Sequence, residues 1–194
     1  ARFVLFASVF VTRITKTMRI LFITSTRIGD AILSTGLLNH LIVQQPGARI
    51  TVACGGAAAT LFKEVPGLEK IIILDKMVLS FHWLRLWVMC IGKLWGTIVD
   101  LRNSPMYYVL PSIQRWRMGR TGVKLHRVKQ LASIMGLSDD PPGPKLWISD
   151  NQKSSGKSII GEGPPVIAIG PTANWRAKTW RAENFAELME RLTG

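Results

Sequence analysis

The chain has 194 residues, 47% of them apolar, and carries 25 Lys and Arg against 12 Asp and Glu for a net charge of +13. The apolar fraction excludes wholesale disorder, and the length allows one full domain plus part of another. The charge points to an anionic partner: nucleic acid, a phosphorylated substrate or an acidic membrane face.

Residues 1–17, "ARFVLFASVFVTRITKT", resemble a signal or anchor, but the apolar part between Arg2 and Arg13 is only ten residues. That is short of the roughly 20 needed to span a bilayer. No small-residue cleavage site follows, so the segment reads as an extraneous leader and Met18 as the natural start. Four β-type runs come next: "RILFIT" (19–24), "RITVAC" (49–54), "KIIILD" (70–75) and "GTIVDL" (96–101). Helical stretches separate them, which predicts βαβ units and a mostly parallel sheet. The first helix is expected over about 30–44, with Leu33, Leu37, Leu38 and Leu41 on one face, closed by "QQPGA" (44–48). Gly55-Gly56 after the second run is a weak signal for a tight βα turn. The stripe Trp83, Trp87, Ile91, Leu94 and Trp95 suits the buried face of a crossover helix better than a membrane interface. From Ser138 to Pro165 the texture turns Pro-, Gly- and Ser-rich and reads as an interdomain linker. A second α/β unit then opens with a strand "VIAIG" (166–170), a loop "PTANWRAKTW" and an amphipathic helix "AENFAELMERL" bearing Phe185, Leu188, Met189 and Leu192.

Cys54 and Cys90 lie in apolar sequence and match no metal-ligand spacing, so a reducing compartment is the default. His40, His82 and His126 are scattered and read as surface or packing residues. There is no G-x-G-x-x-G after the first run and no P-loop, which removes support for a classical dinucleotide enzyme or NTPase. Three features carry chemistry. At Ile28-Gly29-Asp30 the first strand turns into the first helix. Asp30 there is either a helix N-cap or a carboxylate facing the crevice where open α/β sheets bind ligands. From Leu101 to Ser138 the chain has no acid, while Arg102, Arg115, Arg117, Arg120, Lys124, Arg127 and Lys129 are all basic. A solvated face is one reading of that window; an anion-binding surface is the other, because surfaces normally intersperse both signs. Finally, Arg176, Lys178 and Arg181 precede a helix start, where cations are unfavourable without a bound anion. The loop is an exposed polar segment or a phosphate site.

Taken together, "MRIL…IGDAILSTGLLNHL", "TIVDLRNS", "GVKLHRVKQL" and "AIGPTANWRAKTWRAENFAELMERL" resemble the ADP-heptose:lipopolysaccharide heptosyltransferases, glycosyltransferase family nine. The resemblance runs in order from about Met18 to the last residue. It implies an α/β fold of the GT-B type, two Rossmann-like domains facing a cleft. Residues 18–137 would be the acceptor domain, 138–164 the linker, and 165–194 the start of an incomplete nucleotide-sugar domain. By the same resemblance Asp30 is the catalytic base, and Lys178 binds the donor phosphates with Thr172 beside it. The basic stretch, represented by Arg117, Arg120 and Lys124, faces the acceptor. Two departures stand out: Arg181 follows the loop Trp where a Pro is common, and Gly170-Pro171 reverses a Pro-Gly. The implied reaction is inverting transfer of heptose from ADP-heptose to the inner core of lipopolysaccharide, with no metal or other cofactor. It would take place in the cytoplasm, peripheral to the inner-membrane surface. The competing class is a basic nucleic-acid- or anion-binding α/β protein without catalysis. Nothing resembles an RRM, KH or helix-turn-helix signature, and aromatics are not interleaved with the basic residues, so a nucleic-acid partner is not expected.

Overall fold

The computed structural model describes residues 18–74, 81–119, 125–173 and 175–193. The expected leader, 1–17, lies outside the described residues. The described chain divides into two compact units, one ending at Ser149 and the other running from Asp150. The division falls inside the segment expected as a linker.

The first unit is a five-stranded, all-parallel sheet in the order β3-β2-β1-β4-β5. Its strands are β1 (Arg19–Ile23), β2 (Arg49–Cys54), β3 (Leu68–Ile73), β4 (Trp95–Asp100) and β5 (Ser112–Arg117). Four were expected from their apolar runs. The fifth was not: "SIQRWR" alternates charged and apolar residues and lies in the basic window, so it reads as a polar segment. As an edge strand it needs burial on only part of its surface.

The helices are α1 (Ile28–Gln44), α2 (Gly56–Ala59), α3 (Phe81–Cys90), α4 (Met106–Val109) and α5 (Arg127–Ala132). They cover both faces of the sheet. Ile20 and Phe22 of β1 face one layer with Leu37, Leu38 and Leu41 of α1 and Leu131 of α5. Leu21 and Ile23 point the other way, toward Leu86 and Cys90 of α3 and Met106 of α4. Alternation along a two-sided strand is why β1 is apolar throughout. Each large aliphatic residue buried this way contributes roughly 1.5–3 kcal/mol.

The tryptophan stripe is only partly core. Trp95 is fully buried, and Trp83 and Trp87 of α3 pack half-buried against the core on that face of the sheet. Ile91 and Leu94, however, are 48% and 65% exposed. The reason is local: α3 ends at Cys90, and Gly92 at φ +80° turns the chain before the stripe can continue.

The proline-rich segment is also more ordered than a linker. Residues 141–147 cross α1 at its middle, with Trp147 packed on the core and the Lys145 N–H donating to Thr35 Oγ1 at 2.9 Å. Gly36 is glycine for this reason, since a Cβ there would lie 2.2 Å from the Pro142 carbonyl oxygen.

The second unit contains α6 (Asp150–Ile160) and α7 (Ala182–Thr193). The sequence left α6 unread because its Ser, Gly and Lys content gives no apolar stripe, and none of its residues is buried. The predicted strand 166–170 forms no ladder among the described residues, and Val166 is 63% exposed. Apolar β-formers become a strand through pairing and burial, and no partner strand is described for this segment.

Candidate active site at the carboxyl edge of the sheet

The strand order reverses between β1 and β4, the topological switch point at which open α/β sheets bind ligands beyond the strands' carboxyl ends. The two loops flanking that point therefore decide the chemistry. One leads from β1 to α1, the other from β4 to α4.

In the first loop the Ser25 Oγ accepts the Arg27 N–H at 3.1 Å, and α1 begins at Ile28 with Arg27 as its N-cap. Asp30 is therefore not the cap, as one of its two readings had it. It is the third helical residue, in the first turn, with no side-chain cap bond. The cap position falls on Arg27 because the chain already turns helical at Ile28. A carboxylate in the first turn interacts favourably with the helix dipole by about 0.3–1 kcal/mol. It remains partly exposed, at 37% of the side chain, and Arg127 of α5 lies 3.8 Å from its Oδ1. An ion pair this open is worth about 0–1 kcal/mol, so Arg127 orients the carboxylate more than it stabilises the fold. Arg127 is itself steadied by donating to Gln130 Oε1 at 2.6 Å. The loop is held against its neighbours from two sides. Thr24 Oγ1 and Ser34 Oγ meet at 2.8 Å in a buried pair, and Gly55 abuts Thr26 so closely that a Cβ would sit 2.6 Å from Thr26 Cα. The Gly55-Gly56 signal thus marks a real close approach of two βα turns.

The second loop is organised by Asp100, the last residue of β4 and fully buried. It accepts the Arg102 N–H at 2.9 Å, and the Ser104 N–H and hydroxyl at 2.6 and 2.8 Å. Burial pushes its carboxyl above the usual range, against those bonds and the nearby Arg117 charge, which pull it down. The loop it pins holds Asn103 at φ +54°, the one non-glycine residue with positive φ among those described. Across the sheet, Ile23, Asp100 and Arg117 share one register row. Arg102 lies over the Trp83 ring at 5.0 Å, and its charge together with burial lowers the pKa of His82 beneath it, burial being the larger cause.

Among the basic residues expected to face an anion, Arg117 is exposed at this edge. Its guanidinium stacks on Tyr107 and Tyr108 at 5.1 and 5.2 Å and donates to the Tyr108 hydroxyl. Arg115 does other work: it donates to the Tyr107 and Leu110 carbonyls at 2.7 and 3.3 Å and so ties α4 to β5. Arg120 and Lys124 lie outside the described residues.

In the second unit, Arg176–Lys178 form a short 3-10 turn, with the Lys178 N–H donating to the Trp175 carbonyl at 2.9 Å. Lys178 and Thr172 are both exposed. Trp180 contacts Phe185 of α7 edge to face at 5.0 Å, fixing the loop to the helix it precedes. The rest of the amphipathic face stays open, with Leu192 58% exposed.

Sequence reasoning did not single out Asp100, Asn103 or the Arg127–Asp30 pair. Asp100 lies inside the expected run 96–101, and only the phrase "TIVDLRNS" hints that the loop matters.

Residues 107–194 match the family model of glycosyltransferase family 9 (heptosyltransferase). Solved structures with a similar fold include the glycosyl transferase family 9 protein from Veillonella parvula, 16% identical, with a TM-score of 0.63 over 92% of this chain and 61% of that one. The E. coli ADP-heptose lps heptosyltransferase II is 21% identical, with a TM-score of 0.63 over 90% of this chain and 61% of that one. E. coli heptosyltransferase WaaC with ADP is 13% identical, with a TM-score of 0.57 over 90% and 64%. The chain therefore spans about 61% of the length of the first of these. No curated protein matches it. The resemblance to the heptosyltransferases seen in the motifs is borne out by these matches, and the parallel α/β architecture is the one they share.

Proposed function

We propose that this chain serves a family 9 glycosyltransferase that moves heptose from ADP-heptose to the inner core of lipopolysaccharide with inversion and without a metal. The observation that carries the reading is the family 9 match over residues 107–194. The placement of Asp30 at the switch point supplies its chemistry. Asp30 takes the proton of the acceptor hydroxyl as that oxygen attacks the anomeric carbon, and the ADP oxygen leaves from the opposite face. A positioned base contributes ~10²–10⁴-fold. Arg127 stands beside Asp30, 3.8 Å from Oδ1. Lys178, with Thr172 nearby in sequence, offsets the charge that builds on the leaving diphosphate. Arg117, with Arg120 and Lys124, meets the anionic groups of the acceptor and the membrane surface on which it is presented, at the cytoplasmic face. No described helix is long and apolar enough to cross a membrane.

The test is a transfer assay with ADP-heptose and a heptose-deficient core acceptor. It is run on the chain alone and on a chimera in which a family 9 second domain replaces residues 150–194. The chimera is expected to release ADP and form an inverted product in the presence of a chelator, and the chain alone is expected to be inactive. A chimera that folds, binds ADP-heptose and yields no heptosylated product would overturn the reading.

A further inference from the structure

Resting on the acceptor reading of the first unit, we propose that Asn103 and Arg117 form a subsite for a phosphorylated sugar. The two residues line an open cleft of about 530 Å³ together with Met118 and Gly119. Among the described residues the lining contains no acid. The nearest carboxylate, Asp100, is buried and already engaged by three donors. Among the described residues, an anion entering the cleft therefore meets the exposed Arg117 guanidinium and no opposing charge.

The two side chains ask for different parts of one ligand. Arg117 has only donors, held in a planar fork that suits an oxyanion. Its plane is set by the two tyrosines on which it stacks, so the ordering cost of binding is partly met beforehand. Asn103 offers a donor and an acceptor on one amide, the complement of a sugar hydroxyl, which also gives and takes a hydrogen bond. Its backbone is at φ +54°, a conformation most side chains avoid and one that concentrates at ligand sites. Asp100 maintains that conformation by holding the residues on either side, Arg102 and Ser104. An oxyanion beside hydroxyls, at the carboxyl edge of the sheet next to the switch point, is the group this arrangement recognises.

The experiment titrates the 194-residue chain with glucose 6-phosphate, inorganic phosphate and glucose by calorimetry or chemical-shift mapping. Glucose 6-phosphate is expected to bind about tenfold or more tighter than either fragment, the equivalent of one added hydrogen bond. Arg117→Ala should weaken glucose 6-phosphate and phosphate alike. Asn103→Gly keeps the positive φ and removes the amide, so it should bring glucose 6-phosphate down to the level of phosphate and leave phosphate unchanged. Thermal melting of the glycine variant should match wild type. Equal affinities for glucose 6-phosphate and phosphate would reduce the cleft to an unspecific anion patch and overturn the proposal. A retained sugar advantage in Asn103→Gly would overturn it as well. Transfer by the chimera does not depend on these outcomes through Asp30, so failure of the subsite and failure of the heptosyltransferase reading are told apart.

Discussion

Asp30 has two roles that a single substitution separates. Asp30→Asn keeps the size of the side chain and loses only the dipole interaction and the open pair with Arg127, about 1 kcal/mol together. The variant should melt within a few degrees of wild type, yet in the chimera its transfer rate should fall by ~10²–10⁴-fold. Turnover close to wild type would leave Asp30 as a helix-terminus residue and nothing more. Cys90 makes a second residue-scale prediction. Burial pushes its thiol up to about 11, against the opposing pull of Lys93 and Lys70. Raised in the folded state, it favours folding below its unfolded pKa and loses that contribution as pH climbs through 9 to 11. Urea melts should show the wild type losing up to about 2.5 kcal/mol more than Cys90→Ala across that interval. Iodoacetamide at pH 8 should leave Cys90 unmodified until urea unfolds the chain. At this scale the sequence was only partly readable. Asp30 announced itself by standing at a strand–helix turn. Asp100 did not, because a carboxylate at the end of an apolar run gives no sign that three donors will fold back onto it.

Elements whose identity comes from burial were visible beforehand, and those whose identity comes from pairing were not. β1, β2 and β4 are apolar because both faces of the sheet are covered, and the edge strand β3, with Glu69 and Lys70 exposed, showed itself by its Ile71–Ile73 run. β5 is made by its ladder to β4 and needs no such run, while 166–170 has the run and lacks the ladder. α1 shows how one helix can contain opposite glycine effects. At Gly36 the helix-propensity gain from alanine, about 1 kcal/mol, is outweighed by overpacking against the Pro142 carbonyl at roughly 1–3 kcal/mol. Gly36→Ala should therefore destabilise the chain in urea, by up to about 2 kcal/mol. At Gly29 a Cβ meets nothing within 4 Å, so Gly29→Ala should be neutral or slightly stabilising. If the same variant abolishes transfer in the chimera, the open space beside Asp30 is space a substrate fills. A Gly36→Ala variant as stable as wild type would mean that residues 141–147 do not rest on α1.

For the whole molecule, composition narrows the expected partners and leaves the geometry open. A net charge of +13 says anion, but only the fold shows which cations are free to act. Arg115 is spent on carbonyls and Arg127 faces Asp30, whereas Arg117 lines a cleft. A change of texture over residues 138–164 was likewise visible, and the two compact units divide within it, between Ser149 and Asp150, but prolines and glycines that dock on a helix look the same in sequence as those that do not. Brief trypsin treatment checks the boundary. Cleavage should come first at Lys153 and Lys157, on the exposed helix α6, and later at Lys145, whose backbone N–H is held by Thr35. Mass spectrometry showing Lys145 cut first would return residues 141–147 to the status of a free tether.

The hydrogen bonds around Asp100 also bear on how the protein ages. Asparagine deamidates when the following backbone nitrogen attacks the side-chain carbonyl, and the residue after Asn103 is Ser104. That nitrogen points its hydrogen at Asp100 Oδ2 from 2.6 Å. It cannot turn on its neighbour without breaking the loop. Asn103 should thus outlast other exposed asparagines during storage for as long as the chain stays folded. Once the loop opens, the amide becomes a carboxylate in the same cleft as Arg117, and the damage sets a negative charge against the guanidinium that would hold an anion.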